Sequence, residues 1–157
     1  MKFKLEIPIG KPRDEVWKAF DNIENMKKWQ PSLISFESIS GTPGQPGAVS
    51  KLTYEESGRE YSLIEKITHR DEPSQFDGVY ENNFANNIIR NRFIEHGKDQ
   101  TLWVTETEYK FKTLLMKIAG PLLKKNFVAR TKRDMERFKE VAECKPDHEM
   151  ENIEKET

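Results

Sequence analysis

The sequence predicts an α+β domain in which one curved antiparallel sheet wraps round a long C-terminal helix. Helical periodicity is confined to the two ends of the 157-residue chain, at 12–29 and 121–144. Between them apolar and polar residues alternate, which is typical of half-buried strands, and short turns favour antiparallel pairing. So long a sheet must curl, and the terminal helix is the one large element left to cover its concave face.

The first strand and the helical segment after it are read directly from the N-terminal residues. Phe3, Leu5 and Ile7 alternate with charged residues and predict a half-buried strand. Pro12 suits the first turn of a helix, because its missing N–H would have no partner there. Apolar residues continue at helical spacing to Trp29, which indicates two short helices after the first strand.

Six further strands are predicted in the middle of the chain, at 33–40, 49–56, 60–68, 75–81, 88–95 and 101–112. Turn sequences rich in glycine, proline and aspartate separate them, and the longest of these is 41–47. The regular spacing predicts a meander, which gives a sheet of about seven strands.

Two apolar segments follow the last strand. At about 100° per residue their apolar side chains point to opposite sides, so one straight helix could not bury both. Gly120-Pro121 lies between them, and proline starts a helix more readily than it continues one. We therefore predict a short apolar lid or loop at 113–120 and a packed helix at 121–144. The acidic residues 145–157 predict a frayed tail, which leaves 1–144 as a single domain.

Composition excludes several classes of protein. A formal net charge of −1 argues against a nucleic-acid partner. The single cysteine, Cys144, cannot form an intramolecular disulfide and fits a reducing cytoplasm. The three histidines lack metal-ligand spacing, and no phosphate-binding or nucleophile motif is present, so we expect neither a metal nor a cofactor.

Aromatic and polar residues share the inner face predicted for the sheet. In the last strand the face that begins at Trp103 is aromatic and hydroxylic, whereas the opposite face carries acids that need solvent. An apolar wall with few polar groups is typical of a small-molecule pocket, although the same groups could satisfy one another in a filled core. The predicted ligand-binding residues are Trp29, Tyr61, Tyr80, Asn91, Phe93, Trp103, Thr105, Tyr109, Phe127, Thr131 and Met135.

Glu65 falls on this inner face and is the one candidate for a general acid or base. A buried carboxylate is costly unless it is paired or protonated, and a raised pKa is what such chemistry requires. The alternative is that a bulge turns Glu65 outward, or that Arg59 or Arg92 pairs with it at the rim.

A basic stretch free of acids runs from Lys117 to Arg133, next to the apolar segment 114–118. An apolar insert flanked by Lys117, Lys124 and Lys125 predicts a peripheral contact with an anionic membrane. The simpler interpretation is an apolar lid on the cavity with a solvated basic face behind it.

Several short motifs, by their order along the chain, resemble those of the START-related helix-grip superfamily, and most closely its bacterial branch of polyketide cyclase/dehydrase and lipid-transport proteins. The resemblance covers about 1–144 and implies a helix-grip fold over an apolar cavity, without implying a reaction. The motifs are Val16-Trp17, Trp29-Gln30-Pro31, Gly41-x-Pro43-Gly44-x-x-Gly47, Thr101-Leu102-Trp103-Val104-Thr105 and Gly120-Pro121.

These observations together predict a cytoplasmic protein that binds a small hydrophobic or amphipathic molecule, such as a lipid, an isoprenoid or a polyketide, as a carrier or sensor. A cyclase/dehydrase-type enzyme is the alternative, and a protein-interaction module using 114–118 is the second. A homodimer formed through an exposed sheet edge is also expected.

Overall fold

The computed structural model describes residues 1–144, and the predicted tail at 145–157 lies outside the described residues. The strands are β1 (Lys2–Ile9), β2 (Leu33–Ser40), β3 (Val49–Glu56), β4 (Arg59–Asp71), β5 (Gln75–Glu81), β6 (Ala85–Glu95) and β7 (Thr101–Phe111). The helices are α1 (Arg13–Phe20) and α2 (Ile23–Trp29), both after β1, and α3 (Leu114–Leu122) and α4 (Lys124–Glu143) at the C-terminal end.

The strands form a single antiparallel sheet in the order β1-β7-β6-β5-β4-β3-β2. This confirms the predicted α+β class and the meander, which is completed by β1 pairing along β7. Leu5 lies opposite Thr105 and Ile7 opposite Trp103. Among residues 1–144 no further strand pairs with the outer edges of β1 and β2, and dimerisation through such an edge stays a prediction.

The predicted helical segment at 12–29 is two helices, as the spacing indicated. The break comes at Asn22, whose side chain accepts a hydrogen bond of 2.9 Å from the Glu24 backbone N–H. An asparagine in this position satisfies a donor at the start of a helix, so it favours a new helix over continuation of the old one.

Aromatic side chains fill the end of the domain where α1, α2 and α4 meet the sheet. Phe20 is at their centre, with its ring centroid 5.0 Å from that of Phe93 and 5.7 Å from that of Phe138. Trp103 packs edge-on against Phe138 at 5.0 Å. This cluster attaches the helices to the concave face and leaves the remainder of that face for a cavity.

The predictions for the C-terminal end were wrong in two respects. Residues 114–122 form a helix rather than a loop, and the break between the helices falls at Leu123 instead of Gly120-Pro121. Thr113 starts α3 by accepting a hydrogen bond of 3.2 Å from the Met116 N–H. Pro121 is accommodated near the end of α3, and α4 begins only at Lys124.

Candidate functional site

A cavity of about 350 Å³ lies between the concave face of the sheet and the helices α2 and α4. Strands β3 to β7 supply most of its wall, because alternate residues of each strand point to this face. The wall combines tyrosine and asparagine side chains with apolar side chains, among them Leu52, Leu63 and Ile89.

The structure brings together all the predicted ligand-binding residues except Phe93. Those that line the cavity are Trp29, Tyr61, Tyr80, Asn91, Trp103, Thr105, Tyr109, Phe127, Thr131 and Met135. Phe93 points to the inner face as predicted, but α1 covers that part of the sheet. Its buried ring packs edge-on against Trp17 and Phe20, so it belongs to the aromatic core and its assignment to the pocket is corrected.

The apolar side chains of α3 do not line the cavity, so the interpretation of 113–120 as a lid over it is corrected as well. Leu114, Leu115 and Ile118 face solvent. They point away because the opposite side of α3, at Gly120, is packed against the Phe111 ring.

Glu65 faces the cavity and is only 4% exposed. It lies directly opposite Tyr80 on β5. Burial raises the pKa of the Glu65 carboxyl, and hydrogen bonding from the Tyr80 hydroxyl opposes that rise. Arg92 does not pair with Glu65 but with Asp77, at 2.5 Å, and no basic side chain among residues 1–144 forms an ion pair with Glu65.

The cavity tyrosines are neutral hydroxyls at physiological pH. Burial raises the pKa of Tyr109 to about 12. Burial, followed by the nearby Glu65 carboxylate, raises the pKa of Tyr80 well above its usual value. These hydroxyls can therefore donate hydrogen bonds to a bound molecule, whereas removing a proton from them would be costly.

Two charged residues of α4, Arg130 and Asp134, line the cavity and were missed by the sequence interpretation. The Arg130 guanidinium lies 3.0 Å from the Glu56 carboxylate and over the rings of Tyr54 and Tyr61, at 5.7 Å and 5.8 Å. Burial raises the pKa of Asp134, and the Arg130 charge opposes the rise. The sequence did hold a signal for them: Arg130 and Asp134 are four residues apart, and each lies three residues after a member of the inward-facing pair Phe127 and Thr131.

Some of the predicted polar groups already have partners inside the protein. The Trp103 Nε1–H donates to Asn91 Oδ1 at 3.0 Å, and the Asn91 side-chain amide donates to the Phe76 carbonyl at 3.1 Å. The Thr131 hydroxyl donates to the Phe127 carbonyl within α4. Asn91 and Thr131 therefore shape the wall of the cavity more than they offer hydrogen bonds to a ligand.

Two buried polar atoms of lining residues have no hydrogen-bond partner within the described part of the chain. They are Trp29 Nε1 and Asn87 Oδ1. Buried polar groups in folded proteins are nearly always paired, so these two atoms are hydrogen-bonding capacity that the protein itself leaves unused.

Residues 1–144 lack two further features. No group of histidine, cysteine, aspartate and glutamate side chains there is arranged to hold a metal ion. No helix in the same range is long and apolar enough to cross a membrane.

Residues 1–143 match the family model described as polyketide cyclase / dehydrase and lipid transport. The chain belongs to this family. The match spans both the sheet and α4, so the cavity lies wholly within the part of the chain that the family model covers. None of the curated proteins matches the chain by sequence.

Solved structures share this polyketide cyclase/dehydrase and lipid-transport fold. TTHA0849 from Thermus thermophilus is 16% identical, with a TM-score of 0.74 over 90% of this chain and 97% of that chain. The Zhui aromatase/cyclase from a Streptomyces species is 12% identical, with a TM-score of 0.76 over 91% and 93%. A START superfamily protein from Mycobacterium smegmatis is 16% identical, with a TM-score of 0.68 over 90% and 94%. At these identities the likeness shows the helix-grip fold alone.

Proposed function

We propose that this protein binds a small hydrophobic or amphipathic molecule in the cavity, as a carrier or sensor. The observation that supports this most directly is a cavity of about 350 Å³ whose wall combines aromatic area with unpaired polar atoms. Ligand pockets commonly measure about 300–1,000 Å³, with mostly apolar walls and a few orienting polar groups. The volume is at the small end of that range and favours a compact molecule.

The polar groups of the wall indicate which ligand chemistry fits. Glu65 and Tyr80 place a carboxyl and a hydroxyl opposite each other in the cavity wall, and together they can form hydrogen bonds with an oxygen-bearing group of a ligand. Arg130 on α4, which faces the sheet across the cavity, supplies a positive charge over the Tyr61 ring. A molecule with an apolar body and an oxygen-bearing group matches this arrangement.

The proposal is tested by filling the cavity. Thr107 is buried and lines it, whereas its neighbour Glu106 is exposed on the other face of β7. We expect Thr107→Phe to abolish the fluorescence enhancement of the neutral probe N-phenyl-1-naphthylamine. Glu106→Phe, the matched control, is expected to leave it unchanged. Equal enhancement by both variants and the parent protein would place the probe outside the cavity and contradict the proposal.

A second candidate function is catalysis of the cyclase or dehydrase type. It is favoured by one observation: a buried carboxyl with a raised pKa lies opposite a tyrosine hydroxyl in a cavity. Glu65 would then transfer a proton to or from a bound polyketide-like chain. Glu65→Gln is expected to abolish turnover of such a substrate while keeping its binding. Unchanged turnover in this variant would remove Glu65 from the chemistry.

A further inference from the structure

The exposed side of α3 is apolar. Leu114 is 75% exposed, Leu115 76%, Ile118 66% and Leu122 81%. At about 100° per residue, these four side chains fall within an arc of about 100° on one side of the helix. We call this arc, Leu114, Leu115, Ile118 and Leu122, the α3 apolar face. A cluster of large exposed apolar side chains is unusual in a folded protein unless it contacts a partner or a membrane.

The other side of α3 is held against the domain. Gly120 is buried, and a Cβ at this position would lie 2.2 Å from the Phe111 ring. The N-terminal end is capped by Thr113. Because these contacts lock the orientation of the helix, its apolar face is directed outward by the fold.

Three lysines lie close in sequence to the α3 apolar face. Lys117 lies within α3, and Lys124 and Lys125 begin α4 after Leu123. No aspartate or glutamate occurs between Lys112 and Arg133. Among residues 1–144 these three lysines form no ion pair, whereas Arg130 pairs with Glu56 and Lys132 with Glu136.

We propose that α3 docks on the surface of an anionic lipid bilayer, with the α3 apolar face inserted at the headgroup–acyl boundary and the three lysines on the headgroups. Interfacial helices bind through buried apolar area together with attraction of basic residues to anionic lipid. Neither part alone suffices for firm binding, and here the two parts are adjacent. This charge pattern favours a membrane over a protein partner.

The docking surface is connected to the cavity through aromatic contacts. Phe111, on which Gly120 rests, stacks on Tyr109 at 6.0 Å, and Tyr109 lies 4.7 Å from Phe127. Tyr109 and Phe127 both line the cavity. A bilayer bound by α3 would therefore adjoin the part of the domain at which these residues line the cavity. The docking itself does not depend on the proposed ligand.

The test is flotation of the full chain with vesicles of phosphatidylcholine, either alone or mixed with phosphatidylglycerol. We expect the protein to float with the mixed vesicles and to stay behind with the neutral ones, and we expect salt to release it. Failure to float with the mixed vesicles overturns the proposal.

Two double variants separate the apolar and electrostatic parts. Lys124→Gln/Lys125→Gln is expected to weaken binding about 30-fold, because each basic residue contributes about a fivefold gain. Its matched control is Lys27→Gln/Lys28→Gln, a lysine pair at the end of α2. Ile118→Ser/Leu122→Ser should abolish flotation, and the exposed Ile39→Ser should not. All these positions lie at the surface, so loss of folding is not expected.

The same variants distinguish the other possible occupants of this face. If the protein elutes as a dimer and Ile118→Ser/Leu122→Ser makes it a monomer, a second copy covers the α3 apolar face and the membrane proposal is overturned. If flotation is equal for the parent and for both double variants, the lipid contact lies elsewhere and the proposal is overturned too.

Discussion

Glu65 and Tyr80 lie directly opposite each other on β4 and β5, and both line the cavity. The Glu65 carboxyl is buried without a basic partner among residues 1–144, so its charged form loses the free energy of hydration. The pair places a carboxyl and a hydroxyl together in the inner wall of the sheet, and the catalytic candidate function depends on it.

Replacing Glu65 by glutamine is expected to change how stability depends on pH. Burial raises the carboxyl's pKa in the folded protein above its usual value of 4.5. Folding then favours the protonated acid, so this group's contribution is complete below 4.5 and is lost as pH rises through the raised pKa. Urea unfolding at a series of pH values should show Glu65→Gln to be relatively more stable at neutral pH. The exposed Glu106→Gln serves as the control, and a parallel pH profile for parent and Glu65→Gln would contradict the assignment.

Asn91→Leu is expected to destabilise the fold and not merely the site. It leaves the Trp103 Nε1–H without its acceptor, at a cost of about 1–3 kcal/mol for a buried group left unpaired. Urea unfolding measures the loss. In a double-mutant cycle Trp103→Phe should lessen the cost of Asn91→Leu, because the indole donor is then gone. Strict additivity would show that the hydrogen bond contributes nothing.

Gly120→Ala should loosen α3 from the sheet. The added Cβ would meet the Phe111 ring at 2.2 Å, and overpacking of this kind costs about 1–3 kcal/mol. The effect is measured as a lowered free energy of unfolding. In a Phe111→Leu background the same substitution is expected to cost less; an equal cost in both backgrounds would mean that the ring is not what restricts this position.

Arg130→Met is expected to alter ligand preference with little effect on stability. The Arg130–Glu56 pair is partly exposed, and such pairs contribute at most about 1 kcal/mol. Loss of the positive charge should weaken binding of the anionic probe 8-anilinonaphthalene-1-sulfonate about tenfold, and binding of the neutral N-phenyl-1-naphthylamine far less. Fluorescence titration with both probes gives the comparison. An equal loss for the two probes would assign Arg130 a packing role only.

Local patterns in the sequence were sufficient for most of the fold. Alternation and turn residues predicted β2, β3 and β5 with their observed bounds. The inner face of the sheet followed from the same alternation, until the register shift between Ile67 and His69 changed it and brought Arg70 to the cavity. Such a bulge leaves no mark in the periodicity.

Contacts distant in sequence explain the predictions that were wrong. Phe93 alternates with the outward-facing residues of β6, as a pocket residue does, but nothing in its own strand shows that α1 covers it. The docking of Gly120 on Phe111 decides the orientation of α3, and it is a tertiary contact. Arg130 was assigned to the solvated face because of its charge, whereas the rings of Tyr54 and Tyr61 hold its guanidinium beside the cavity.

The central claim, that the cavity holds a small molecule, is tested most directly by native mass spectrometry of the protein purified from its own host. The account predicts a discrete small-molecule adduct on the parent protein, released by organic extraction, absent from Thr107→Phe and retained by Glu106→Phe. A parent protein that is free of adduct and also fails to bind N-phenyl-1-naphthylamine would contradict it.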